Sequence, residues 1–117
     1  MLVLIVEDDT DIRTLAATCF DAWGHTVISA ESGDEALRLL RDGNSVDFLF
    51  TDIVMPGAVN GLELARWVTQ NCPGTKILLT SGYIADPAVR RLPFLPKPYL
   101  PNTLSAAVER VMQSEAA

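Results

Sequence analysis

Several features that mark specialised classes of protein are scarce in this 117-residue sequence. Nine basic residues stand against fifteen acidic ones, and the net charge of −6 argues against binding to nucleic acid or anionic lipid by charge alone. No apolar stretch approaches the roughly 20 residues of a membrane-spanning helix, and no basic segment precedes the first apolar run. The two cysteines, Cys19 and Cys72, lack metal-ligand spacing, which predicts reduced thiols and a cytoplasmic protein.

The sequence does contain enough apolar residues for a well-packed core. Hydrophobic residues make up 49% of the chain, and we expect residues 1–117 to form one domain. Short apolar segments alternate with segments of helical periodicity. The predicted strands are 2–6, 25–30, 47–51, 76–80 and 94–96. The predicted helices are 10–23, 33–41, 62–71 and 101–112, with a short additional helix within 86–92.

Apolar strands that alternate with helices are typical of a parallel sheet with helices on both faces. Because crossover connections are right-handed, the predicted fold is a doubly wound α/β fold with five parallel strands. In such folds, ligands bind beyond the carboxyl ends of the strands. Polar residues lie at four of these ends: Glu7 and Asp8 after the first strand, Asp52 after the third, Thr80 and Ser81 at the fourth, and Lys97 after the fifth.

These side chains suit the chemistry of a phosphoryl group. Glu7, Asp8 and Asp52 offer oxygen ligands for a hard cation, and a carboxylate can also accept a phosphoryl group as an acyl phosphate. The ammonium of Lys97 suits phosphate oxygens, and a cis bond before Pro98 would direct it over the cleft. Each residue alone has an ordinary alternative, since acids cap helices and loops, lysines are often solvated, and hydroxyls satisfy nearby backbone groups.

Together, the segments at these strand ends resemble the receiver domain of two-component response regulators, over essentially the whole chain. The matching segments are Val6-Glu7-Asp8-Asp9, Asp52-Ile53-Val54-Met55-Pro56 followed by Gly61, Thr80-Ser81-Gly82-Tyr83, and Phe94-Leu95-Pro96-Lys97-Pro98-Tyr99. The resemblance implies a flavodoxin-like sheet of strand order 2-1-3-4-5. It also implies a signalling switch, phosphorylated by a histidine kinase or a histidine phosphotransfer protein, that catalyses only its own phosphorylation and dephosphorylation.

The same resemblance assigns roles at the acidic site. Asp52 is implied to be the phosphoryl acceptor, and Lys97 is implied to pair with the phosphoryl group. The implied Mg²⁺ ligands are Glu7, Asp8, Asp52 and the backbone carbonyl of Val54. Attack by the Asp52 carboxylate on a phosphohistidine is the expected reaction, with positioning and charge neutralisation supplying most of the catalysis.

Two residues compete for the role of switch hydroxyl. Ser81 is the better match to the family, and Thr80 is the alternative; Phe94 matches the switch aromatic. The chain departs from most receivers in two places. The loop after Asp52 is one residue longer than the commonest pattern, and the segment from Ser81 to Lys97 is short, which predicts a shortened fourth helix.

Two other functions also depend on an aspartate at a strand end or on this fold. An aspartate-nucleophile phosphatase of the haloacid-dehalogenase type has a second aspartate two residues after the first. This chain has Val54 at that position, which argues against such a phosphatase. A non-catalytic interaction module is the other alternative, and the complete set of acids, lysine and hydroxyl argues against it. No effector sequence follows Ala117, so the signal is expected to leave by contact with a downstream protein, or the chain is part of a longer regulator or hybrid kinase. We expect a monomer or weak dimer.

Overall fold

The structure, a computed structural model, describes residues 1–82 and 92–114 and contains a five-stranded sheet with all strand pairs parallel. Its strands are β1 (Leu2–Val6), β2 (Thr26–Ala30), β3 (Phe48–Asp52), β4 (Lys76–Ser81) and β5 (Phe94–Pro96). Its helices are α1 (Thr10–Ala22), α2 (Gly33–Arg41), α3 (Gly61–Asn71) and α4 (Pro101–Gln113). The sheet order β2-β1-β3-β4-β5 confirms the predicted fold.

The additional short helix predicted within 86–92 lies, apart from Leu92, outside the described residues. The shortened helix expected between Ser81 and Lys97 therefore stays a prediction. Among the helices in the described part of the chain, none is both long enough and apolar enough to cross a bilayer.

The sheet is buried on both faces. Because successive side chains of a strand point to opposite faces, Val3 and Ile5 of β1 join one apolar cluster, while Leu4 and Val6 join the other. The first cluster includes residues of α1 and α4, and the second includes residues of α2 and α3. Full burial of a large apolar side chain contributes about 1.5–3 kcal/mol, so packing on both faces holds the strand ends firmly in position.

Polar caps fix where the helices begin. The side chain of Asp9 accepts a hydrogen bond from the N–H of Ile12 at 3.0 Å, and that of Ser32 accepts one from Glu35 at 3.1 Å. Asn60 and Glu63 form a reciprocal capping box, so α3 begins at Gly61, one residue earlier than predicted. These caps set the lengths of the loops that follow the strands.

Two strands extend further than predicted at their carboxyl ends. β3 ends at Asp52 and β4 ends at Ser81. The ladder continues because the N–H of Ile53 donates to the Thr80 carbonyl at 3.0 Å, and that of Lys97 donates to the Ser81 carbonyl at 2.9 Å. Asp52 and Ser81 are therefore held by the sheet itself rather than by a free loop.

Candidate functional site

Three carboxylates meet at the carboxyl edge of the sheet. β1 and β3 are neighbours, so Glu7 and Asp8, which follow β1, lie beside Asp52 at the end of β3. One carboxylate oxygen from each of the three residues lies within 4.8 Å of the others. Glu7 and Asp52 are buried, at 3% and 5% exposure, whereas Asp8 is exposed to solvent. The predicted acidic residues thus form one cluster with an open side.

Lys97 brings a positive charge to this cluster from the far side of the sheet. It follows β5, and its bond to Pro98 is cis, as predicted. Its Nζ lies 2.5 Å from Glu7 Oε1 and 3.1 Å from Asp52 Oδ2, donating a hydrogen bond to the latter. A single ammonium therefore lies between two buried carboxylates, and the cluster retains excess negative charge.

The proton equilibria of this group follow from burial and charge. Burial raises the pKa of Glu7 from 4.5 to about 7, and the nearby charge of Asp52 acts in the same direction against the contact with Lys97. Burial alone would lower the pKa of Lys97, but its hydrogen bonds to Glu7 and Asp52 outweigh this effect and raise it. The lysine therefore stays charged at neutral pH, and Glu7 holds a proton more tightly than an ordinary glutamate does.

The donor set fits a small, hard divalent cation. Carboxylate oxygens are the ligands that Mg²⁺ prefers in proteins. Glu7 Oε1 is buried, and the Lys97 ammonium 2.5 Å away is shared with Asp52. Burying two carboxylates around one positive charge is costly, and a cation bound by these acids would offset that cost. The residues present are therefore compatible with Mg²⁺.

Thr80 and Ser81, which carry the two candidate hydroxyls, are the last two residues of β4. Thr80 and Ser81 are both buried, at 2% exposure. The Thr80 hydroxyl donates to the Leu95 carbonyl at 2.7 Å, so it is engaged in linking β4 to β5. Ser81 pairs in register with Pro96, one residue before Lys97. Thr80 and Ser81 thus pair with Leu95 and Pro96, the two residues that precede Lys97.

The two remaining predicted site residues lie at the border of this region. Val54, two residues beyond Asp52, is 54% exposed. Phe94 begins β5, pairs in register with Leu79, and is half-buried against the cluster beneath α2 and α3. Val54 is thus an exposed apolar residue two positions after Asp52, and Phe94 is a half-buried aromatic on the edge strand, while their roles stay predictions.

One supporting residue was missed in the sequence. Arg13 of α1 donates from Nη1 to the Glu7 carbonyl at 2.8 Å and lies 3.6 Å from the Glu31 carboxylate. Its side chain is 15% exposed, so it is largely held against the turn between β1 and α1. A basic residue in the first turns of a helix is common, and nothing in its spacing distinguishes it. Its contact depends on how α1 leaves the sheet.

Comparisons with known proteins agree with this geometry. The family model of the response regulator receiver domain matches residues 3–109. The sensor kinase CckA of Brucella abortus is 34% identical over 97% of this chain, which spans only 13% of that kinase. The receiver protein CpdR of the same organism is 31% identical, with 94% of this chain and 95% of that protein covered. The response regulator TrrA of Thermotoga maritima, solved in complex with Mg²⁺-BeF, is similar with a TM-score of 0.82 and 29% identity, covering 94% of this chain and 97% of that one.

Proposed function

Because this chain belongs to the response regulator receiver domain family, whose members are phosphorylated on an aspartate by kinases, we propose that Asp52 is its phosphoryl acceptor. The observation that carries the proposal is the position of Asp52 at a strand end, buried and in contact with Lys97, beside the carboxylates of Glu7 and Asp8. The occupancy of Asp52 is then the signal, and partners respond to the change that it causes.

In the proposed reaction, an Asp52 carboxylate oxygen attacks the phosphorus of a phosphohistidine. The new O–P bond forms as the P–N bond breaks, and the released imidazole takes up a proton. Lys97 can transfer its contact from Asp52 Oδ2 to a phosphoryl oxygen, which balances charge as the acyl phosphate forms. Bound Mg²⁺ would neutralise negative charge on the transferred oxygens. Water later hydrolyses the acyl phosphate and resets the switch, so the domain catalyses only its own phosphorylation and dephosphorylation.

We assign the Mg²⁺ ligands to Glu7, Asp8, Asp52 and the backbone carbonyl of Val54. The carboxylate geometry and the burial of Glu7 and Asp52 around one shared ammonium support the first three ligands. The exposed carboxylate of Asp8 is the one that an incoming hydrated ion can reach first. The complex of TrrA with Mg²⁺-BeF supports the choice of metal.

We assign the switch hydroxyl to Ser81 and the switch aromatic to Phe94. Ser81 is supported by its register with Pro96, directly before Lys97, and by the hydrogen bond from the Lys97 N–H to its carbonyl at 2.9 Å. Phe94 is only half-buried, so its ring has room to change position. Both residues belong to the paired strands β4 and β5, which link the acidic site to the far edge of the sheet.

Residues 1–117 form one receiver domain in this proposal, located in the cytoplasm, where a kinase or phosphotransfer protein supplies the phosphoryl group. The similarity to part of a sensor kinase and to nearly all of a receiver protein is compatible both with a free-standing switch and with a receiver in a longer chain. A downstream protein reads the phosphorylated surface, and the domain itself is a monomer or weak dimer that binds no nucleic acid.

The test is incubation with acetyl phosphate and Mg²⁺, followed by intact mass measurement. Wild-type protein should gain the mass of one phosphoryl group, and Asp52→Asn should gain none. Asp42→Asn, which changes an exposed aspartate at the end of α2, is the matched control and should be phosphorylated like wild type. The proposal is wrong if the wild type gains no phosphoryl group, or if Asp52→Asn is still modified.

A further inference from the structure

The first turn of α2 holds the loop that follows the acceptor strand. Asp34, the second residue of α2, accepts hydrogen bonds from two successive backbone N–H groups of this loop. Its Oδ1 lies 2.7 Å from the Val59 nitrogen, and its Oδ2 lies 3.3 Å from the Ala58 nitrogen. A carboxylate that accepts two N–H groups forms stronger hydrogen bonds than a neutral acceptor does.

Two glycines allow this contact to be close. A side chain on Gly33 would overlap the Val59 carbonyl, so the backbone of α2 lies directly against the loop. Gly57 has φ +105°, a conformation that favours glycine, and a side-chain carbon there would come within 3.2 Å of Asp34 Oδ2. The backbone of α2 therefore packs directly against residues 57–59, and the Asp34 carboxylate accepts hydrogen bonds from that loop.

The ends of the same loop are anchored at the acceptor. The N–H of Gly61 donates to the Ile53 carbonyl at 2.8 Å, and a side chain on Gly61 would overlap the Asp52 carbonyl. Val54 lies between this anchor and the segment bonded to Asp34. Its own side chain is mostly exposed, whereas the next residue, Met55, is buried in the apolar cluster beneath α2 and α3. The Val54 carbonyl shares a peptide bond with Met55, so that packing holds it on one side, and its position otherwise depends on how residues 57–59 are held.

We propose that Asp34 is a positioning residue for the metal site. By holding 57–59 against α2, its carboxylate restricts the loop to the conformation in which the Val54 carbonyl can bind Mg²⁺ beside Asp52. This inference rests on the proposed function, which assigns that carbonyl to the metal. A ligand that is already ordered loses less conformational entropy on binding, so the clamp increases Mg²⁺ affinity without touching the ion.

Calorimetric titration with Mg²⁺ and amide hydrogen exchange test this role together. Asp34→Ala should increase the exchange rate of the Val59 amide and weaken Mg²⁺ binding by about threefold to tenfold, as expected for the loss of one net hydrogen bond. Asp34→Asn keeps one acceptor oxygen and should recover part of the affinity. Asp11→Asn is the matched control, since Asp11 is exposed and holds the same second position in α1. It should change Mg²⁺ affinity less than twofold.

The rate of phosphorylation by acetyl phosphate separates positioning from a loss of folding. In Asp34→Ala the rate should fall at low Mg²⁺ and return to the wild-type value at saturating Mg²⁺. The proposal is overturned if Val59 exchange accelerates while Mg²⁺ affinity is unchanged, or if Asp11→Asn weakens binding as much as Asp34→Ala. If the wild type binds Mg²⁺ in an Asp34-dependent manner but takes no phosphoryl group, the clamp stands and the proposed function fails.

Discussion

Replacing Lys97 with methionine removes the ammonium that lies between the buried carboxylates. Methionine keeps an unbranched side chain of similar length, so the change removes charge and hydrogen bonding while retaining most of the packing. Nζ is 2.5 Å from Glu7 Oε1 and 3.1 Å from Asp52 Oδ2, and these residues are 3% and 5% exposed. Without metal, the variant must bury the carboxyl groups of Glu7 and Asp52 with no ammonium beside them.

The expected cost follows from this burial. Removing one partner of a buried ion pair typically costs about 3–5 kcal/mol. Lys97 is 15% exposed, so water can reach the space that it leaves. Glu7, whose pKa is raised to about 7 by burial, can relieve the repulsion by taking up a proton. We therefore expect Lys97→Met to lose about 2–3 kcal/mol of unfolding free energy in EDTA, equivalent to roughly 10 °C in Tm for a domain of this size.

Urea unfolding followed by circular dichroism, in EDTA and in Mg²⁺, measures this effect. Mg²⁺ should stabilise Lys97→Met more than wild type, because the ion supplies the positive charge that the variant lacks. The double variant Lys97→Met/Glu7→Gln should be less destabilised than the two single effects predict, by at least about 1 kcal/mol. A loss below about 1 kcal/mol for Lys97→Met in EDTA, or additive effects in the double variant, would refute the reasoning.

Two further predictions concern the same site. Because the folded protein binds the Glu7 proton more tightly than the unfolded chain does, the metal-free protein should lose stability as the pH rises from about 4.5 to about 7. Glu7→Gln should flatten that slope in urea unfolding at a series of pH values in EDTA, and an unchanged slope would contradict the assigned cause. The exposed apolar side chain of Val54 should slow the approach of water to an Asp52 phosphoryl group. Val54→Asn should therefore shorten the lifetime of the acyl phosphate, measured by intact mass over time; an unaltered lifetime would count against this role.

The architecture could be predicted from the sequence because its signals are local and repeated. Apolar strands, helical periodicity and capping residues such as Asp9 and Ser32 each specify an element independently of the others. Strand ends were less accurate, because they depend on pairing between segments that are distant in the chain. The ladder bond between Ile53 and Thr80 extends β3 by one residue past its predicted end, and a pattern read along one strand does not contain that information.

The site residues also differ in how well the sequence predicts them. Its acids and lysine were predictable because each follows an apolar strand, and the ends of parallel strands meet at one edge of a sheet. The residues that hold the backbone around the site were not predictable. Arg13 and Asp34 act through backbone groups of other segments, at the Glu7 carbonyl and at the Val59 nitrogen. Nearly all residue types carry the same backbone N–H and carbonyl groups. A side chain that hydrogen-bonds to such a group therefore has no partner residue type that could be found in the sequence.

The charges of the site indicate where a phosphorylation signal would begin to spread. A phosphoryl group on Asp52 would add negative charge to a cluster already rich in carboxylates. The ammonium of Lys97, which contacts Asp52, would then be attracted more strongly toward it. Its backbone is not free to follow, because its N–H is bonded to the Ser81 carbonyl at 2.9 Å. Any shift of the lysine backbone must therefore act on the end of β4. Since Phe94 begins β5, three residues before the lysine, such a shift would pass through the pair β4–β5 from the proposed acceptor Asp52 to the half-buried aromatic at the edge of the sheet.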